Sequence, residues 1–181
     1  MDNSFEQCVR KPDYTQEEKM FKLYTILMCL SIFAVVAGIV LLFSVDYLLG
    51  ALVIIMWGIV AICFYKLRDN AIIEYDYEFI DNIILISKVS HSSKRKTIVA
   101  IPAEQLKSIY PLNTNPNYDQ NKKSVVLDGA TLPLINCSLN EDARRYLLRG
   151  TSNNKDIVVI WEPKQDMLKL IRSERKDVVS L

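Results

Sequence analysis

LYTILMCLSIFAVVAGIVLLFSVDYLLGALVIIMWGIVAICFY, residues 23–65, runs forty-three residues with a single charge, Asp46. As one straight helix this stretch would be about 65 Å long, at roughly 1.5 Å per residue. A bilayer core is only about 30 Å thick, so the stretch is expected to cross twice. Leu23–Leu42 holds twelve Leu, Ile, Val or Phe residues and Tyr47–Tyr65 holds ten. Each contributes about −0.3 to −0.6 kcal/mol at mid-membrane, so both halves insert favourably. Asp46 would cost about 2.5–3.5 kcal/mol at the bilayer centre and far less at the surface. The expected structure is a transmembrane helical hairpin, about 23–43 and 47–66, with its tip near Ser44-Val45-Asp46. Core helices of a soluble bundle would keep a polar face, and neither half has one. A cleaved signal peptide would have a shorter apolar core and no second span directly behind it.

Orientation follows from the cations next to the spans. Arg10, Lys11, Lys19 and Lys22 precede the first span, Lys66 and Arg68 follow the second, and the tip carries none. Both termini are therefore expected in the cytoplasm, in a protein integral to the cytoplasmic membrane. Phe21, Tyr24, Phe43, Tyr47, Phe64 and Tyr65 stand where interfacial aromatic belts occur. Ala34 and Gly38 are a small-xxx-small pair, and Gly50 and Gly58 lie on the second span. These four suit close helix–helix packing, and they equally suit dimerisation.

Outside the membrane the 181-residue chain has room for one modest domain of about 110 residues. Residues 1–22 are polar and read as a short cytoplasmic lead-in, amphipathic or irregular, interrupted by Pro12. After Asp69-Asn70 the hydrophobic period changes to two. Ile73, Tyr75, Tyr77 and Phe79 share one face and Glu74, Asp76 and Glu78 the other, as in a half-buried strand. Asp81-Asn82 turns the chain into a second strand, Ile83–Ser90. A turn at His91-Ser92-Ser93-Lys94 leads to a third strand over Lys96–Pro102, and a fourth follows near Leu106–Leu112. Asn113–Lys123 reads as a polar loop. Ser124–Asp128 and Leu132–Cys137 are short strands. Arg145–Arg149 and Asp156–Trp161 form a last hairpin around Thr151–Asn154, although Glu141–Leu148 also fits a helix. Pro163 suits the first position of a closing helix over 163–173, with Asp166 near its start and Lys169 and Arg172 near its end.

Such strands followed by one helix make an α+β plan: the hairpin, then a small antiparallel β-sandwich or barrel of pleckstrin-homology (PH)-like type over 70–175 with a C-terminal helix. The chain resembles an uncharacterised family of short bacterial membrane proteins, domain of unknown function 6106, with two transmembrane helices and a PH-like C-terminal domain. The resemblance lies in Phe5-Glu6-Gln7-Cys8-Val9-Arg10-Lys11, Glu74-Tyr75-Asp76-Tyr77, Ser93-Lys94-Arg95-Lys96, and Trp161-Glu162-Pro163 with Met167-Leu168. It implies no activity, because none is established for that family.

Catalytic chemistry finds little support. Gly129 and Gly150 are the only glycines outside the spans, so no glycine-rich loop cradles a phosphate. The single histidine, His91, reads as a solvated turn residue. Ser92, Ser93 and Cys137 lack a nucleophile context. Glu74, Asp76 and Glu78 repeat at strand spacing and most simply face water. Cys8, Cys29, Cys63 and Cys137 have no paired spacing and are expected as free thiols. Neither a cofactor, a metal, a small-molecule substrate nor nucleic acid is implied, the formal net charge being +1. Lys94, Arg95 and Lys96 are the exception, three adjacent cations that could each gain about 1 kcal/mol near anionic lipid. The leading expectation is a non-enzymatic, membrane-tethered module that binds a protein partner, a larger membrane complex or a second copy of itself. The alternative is a lipid-headgroup-contacting or envelope-stress sensor using the basic turn.

Overall fold

The computed structural model describes residues 4–44, 46–90, 94–112, 124–127, 129–140 and 142–179. The expected turn at His91–Ser93, the loop 113–123, and residues Val45, Asp128 and Glu141 lie outside these. The chain divides into two compact units. One comprises residues 13–73 and 90–94, the other residues up to 12, 74–89 and from 95 on.

The first of these is the helical hairpin. Helix α1 spans Thr15–Ser44 and α2 spans Tyr47–Asp69. Each is long and apolar enough to cross a membrane. Helix α1 begins eight residues ahead of the apolar stretch, because Gln16, Glu17, Glu18, Lys19, Met20 and Lys22 are good helix formers. Hydropathy marks the span, not the start of the helix. Asp13 Oδ1 accepts the Thr15 N–H at 2.8 Å. At the tip, Asp46 is the N-cap of α2 and accepts the N–H groups of Leu48 (2.8 Å) and Leu49 (3.3 Å). Asn70 closes the other end, its side chain donating to the Lys66 carbonyl at 3.0 Å. In α1 only Ser31 and Gly38 are buried, and in α2 only Gly50, so the apolar side chains point outward around the pair.

The helices meet at their small residues. A Cβ at Gly50 would stand 2.5 Å from the Leu42 backbone N and Cα, and one at Gly38 would stand 3.0 Å from Ile54 and Val53 side-chain carbons. Ala34 is half-buried and shares the face of Ser31 and Gly38 by helical spacing. Gly58 differs from the other three: a Cβ there meets nothing within 4 Å, so it takes no part in this helix pair.

The other unit is a pair of sheets and a helix. Its strands are β1 (Phe5–Val9), β2 (Ile73–Ile80), β3 (Ile83–Ser90), β4 (Arg95–Pro102), β5 (Leu106–Pro111), β6 (Ser124–Leu127), β7 (Ala130–Asn136), β8 (Tyr146–Ser152) and β9 (Lys155–Trp161), closed by α3 (Gln165–Glu174). One sheet has the order β1-β2-β3-β4, the other β5-β8-β9-β7-β6. Neighbours run antiparallel except β7 and β9. The β8–β9 hairpin places β9 between β8 and β7, and β7 then runs alongside it in the same direction. Helix α3 starts two residues after Pro163, with Lys164 as N-cap, so the proline precedes the helix instead of occupying its first turn.

Residues 1–22 depart most from expectation. Phe5–Val9 is no irregular lead-in but a strand, paired with β2 from Phe5↔Phe79 to Val9↔Tyr75. The apolar hairpin is therefore an insertion between two neighbouring strands of one sheet.

The core joins both sheets and α3. Tyr77, Phe79, Ile84, Ile86, Val99 and Ile101 of the first sheet meet Leu148, Val159 and Trp161 of the second, with Met167, Leu168 and Ile171 beneath. Tyr77 and Trp161 pack edge to face, centroids 5.7 Å apart, a geometry contributing about 0.5–1.5 kcal/mol beyond area. Leu147, Val158 and Ile160 alternate onto the other face of the second sheet and pack with Leu112, Val125 and Leu132. Two tight turns place consecutive residues at positive φ: Asp81 (50°) with Asn82 (61°), and Asn153 (50°) with Asn154 (59°). Asn and Asp tolerate this left-handed region better than other non-glycine residues, so Asp81-Asn82 makes a hairpin turn without glycine.

Replacing Gly50 with Leu forces backbone apart at Leu42 and is expected to cost about 1–3 kcal/mol, as overpacking does. Gly58→Leu is expected to change stability by no more than about 0.5 kcal/mol. Thermal melts of the two variants in the same detergent check this; equal melting temperatures would contradict the packing.

Candidate functional site

Strand alternation sorts the charges of the first sheet. Tyr77 and Phe79 point into the core, which leaves Glu74, Asp76 and Glu78 on the outer face. Glu6 lies opposite Glu78 and Cys8 opposite Asp76. Like charges directly opposite each other destabilise a sheet, and Arg95 at the start of β4 relieves this. Its guanidinium pairs with Glu78, stands 3.3 Å from Asp76 and 3.6 Å from Glu6. Arg10 pairs with Glu74 at 3.0 Å. The acids therefore do not simply face water, and the charge of Arg95 is committed to three carboxylates.

The three cations of the basic turn are thus separated. Lys94 Nζ lies 5.9 Å from the centre of the Tyr65 ring near the end of α2. The same ring is stacked at 5.0 Å by Arg68, which also lies 5.8 Å from Phe21 and 3.3 Å from Asp69. Lys96 is exposed and belongs to a different arrangement. A β-bulge between Ile86 and Ser87 shifts the β3–β4 register from Ile86↔Val99 to Ser87↔Thr97, which sets Lys88 opposite Lys96. Ser87 and Thr97 join hydroxyls at 3.2 Å, and Val89 opposes Arg95 on that same outer face. Lys88 and Lys96 consequently project from the opposite face, away from Glu6, Asp76 and Glu78. Neither has an ion-pair or hydrogen-bond partner among the described residues. Such a pair is unfavourable by about 0.2–1 kcal/mol. Lys88 escapes a reading of the sequence because only the bulge makes it a neighbour of Lys96; an isolated lysine at the end of an apolar strand was the available signal.

A buried polar knot ties the unit together elsewhere. The Gln7 side chain donates to the Glu162 carbonyl at 3.0 Å and accepts the Lys164 N–H at 2.7 Å. Tyr77 donates to the Cys137 carbonyl at 2.8 Å. The Glu162 carboxylate accepts from the Leu139 N–H (2.9 Å), the Asn140 N–H (3.3 Å) and the Asn140 side chain (3.2 Å). Burial pushes the Cys137 thiol up to about 12 and raises the Tyr77 hydroxyl, so both stay protonated near neutral pH. These groups serve as hydrogen-bonding and packing elements of the fold. Among the described residues no cluster of three or more His, Cys, Asp or Glu could hold a metal.

Gln7→Leu would leave the Glu162 carbonyl and the Lys164 N–H without partners. It is expected to cost about 2 kcal/mol or more, read as a lower thermal midpoint of the full chain in detergent. With a thiol-reactive dye at pH 8, Cys137 is expected to react only after unfolding, since a group titrating near 12 is about one part in ten thousand thiolate there. Exposed Cys8 should react in the folded chain, more slowly than a free thiol because burial and Asp76 raise its pKa. Labelling of Cys137 at the rate of Cys8 would contradict the packing.

The family described as bacterial PH-like domain (DUF6106) matches residues 2–180. No curated protein and no solved structure matches the chain. The match takes in β1, the inserted hairpin, both sheets and α3, so the chain belongs to the bacterial PH-like domain family.

Proposed function

We propose that this chain is a non-enzymatic interaction module held at the cytoplasmic face of a bacterial membrane, where it binds a protein partner. The observation that carries the reading is the insertion of the hairpin between β1 and β2. Val9 and Tyr75 are Cα partners, so the chain leaves the sheet and returns to it at one place. That arrangement supports an even number of crossings with both hairpin ends on one side, and the cations flanking the spans support the cytoplasm as that side. The buried Glu162, Tyr77 and Cys137 are engaged in the fold, which supports a binding role over a catalytic one. For a partner, β6 offers an edge: it ends the five-stranded sheet, pairs only with β7 among the described residues, and exposes 64% of Val126. A second reading, contact with anionic lipid headgroups, is favoured by the unpaired Lys88 and Lys96.

Photo-crosslinking in cells from Val126, and separately from Lys169 on α3, tests the first reading, with alkaline carbonate extraction of the same membranes. The chain is expected to resist extraction and to give one dominant protein adduct from Val126. Release by carbonate would overturn the membrane assignment, and the absence of any protein adduct from either position would overturn the partner assignment.

A further inference from the structure

We infer that Lys88 and Lys96 form a contact site for an anionic lipid surface, built by the β3–β4 bulge at the tethered edge of the first sheet. The inference rests on the membrane reading above and is independent of any protein partner. Neighbouring strands of this sheet run antiparallel, so β1 ends, β2 begins, β3 ends and β4 begins along one edge. The hairpin departs from the first two of these strand ends. Only Arg10–Tyr14 separate β1 from α1, and only Asn70–Ile72 separate α2 from β2. Lys88 and Lys96 belong to the other two strand ends, so they share an edge of the sheet with the two points where the hairpin is attached.

Charge then identifies the occupant. Arg95 is held by carboxylates on the outer face, whereas the bulge turns Lys88 and Lys96 to the opposite face, where no acid of β1 or β2 reaches them. Two directly opposed ammonium groups without a counter-charge are complementary to phosphate. A bilayer surface supplies phosphate along a plane, matching a pair of lysines at a sheet edge. Lys94, two residues before Lys96, already lies over Tyr65 near the end of α2, a position where interfacial aromatic residues occur. The lipid-contacting cations assigned here are thus Lys88 and Lys96, with Arg95 excluded.

The test places the full chain in nanodiscs of phosphatidylcholine alone or of an equimolar mixture with phosphatidylglycerol, and follows amide hydrogen exchange in β3 and β4. Anionic discs are expected to raise protection there by up to about thirtyfold, roughly fivefold per lysine. A Lys88→Gln/Lys96→Gln variant should lose this dependence. Lys96→Glu, which pairs opposite charges across the strands, should be better protected than the parent in neutral discs and should gain nothing from phosphatidylglycerol. Lys169→Glu on α3 should respond as the parent does. Equal protection of the parent in both discs, or an undiminished response in the Lys96→Glu variant, would overturn the inference. So would inorganic phosphate in neutral discs reproducing the whole effect, since the site would then take a free anion. A chain released by carbonate fails the membrane reading itself; one that stays and ignores lipid charge fails only this inference.

Discussion

Five residues ahead of the apolar hairpin, Phe5–Val9, complete a sheet whose other strands all follow it, and the architecture depends on that pairing. β1 contributes Val9 to the core and sends Gln7 across to the backbone between Glu162 and Lys164, next to the start of α3. A strand from the start of the described residues is thereby bound to the segment that leads into α3. Between them lie two helices whose side chains are exposed almost all round, with twenty large apolar residues on a surface that water would not tolerate. A surface of that size suits lipid, and the β1–β2 pairing joins the two ends of the hairpin to neighbouring strands of one sheet. β1 is also made before the hairpin and finds β2 only after it. The sheet therefore cannot close until both helices have been synthesised, and a hairpin with its ends on opposite sides would leave β1 unpaired and the Gln7 contacts unmade.

The two spans and most strands are legible in the sequence because their signals are local. Forty-three residues with one charge, and the alternation of Ile73, Tyr75, Tyr77 and Phe79, need no knowledge of partners. β1 is different. Its five residues include Glu6, Gln7 and Cys8, and its pattern resembles a strand only once β2 and α3 are present to receive Val9 and Gln7. The same holds for the parallel β7–β9 pair, which depends on the order in which strands dock. Gly38, Gly50 and Gly58 read alike as small residues in apolar helices, yet only helix phase and register decide that Gly50 meets Leu42 and Gly58 meets open space.

The basic turn shows the limit most clearly. Lys94, Arg95 and Lys96 are contiguous in sequence, and contiguity suggests one cationic patch. In a strand, however, successive side chains leave opposite faces, so adjacent charges are separated by the thickness of the sheet. Arg95 takes the acidic face and Lys96 the other, while Lys94 belongs with the end of α2. The true neighbour of Lys96 is Lys88, eight positions away, and no run of charge in the sequence connects them.

The bulge is what makes that pairing, and its removal shows what it is for. If the Ile86↔Val99 register continued unbroken along β3 and β4, Lys88 would face Thr97 and Lys96 would face Val89. Strand alternation would then carry Lys96 to the outer face, within reach of the carboxylates that Arg95 now serves, and Arg95 would move to the inner face with Ser90. The sheet would hold its charges in mutual neutralisation and keep no unpaired cation at its tethered edge. One inserted residue reverses the assignment. Arginine, whose planar guanidinium can serve several carboxylates at once, is given to the acidic face, and the two lysines, compact charges on long flexible stems, are left together without partners. An arrangement that gives up internal pairing at one edge, while neutralising a denser cluster of charge a few ångströms away, is best accounted for by a counter-charge supplied from outside the protein.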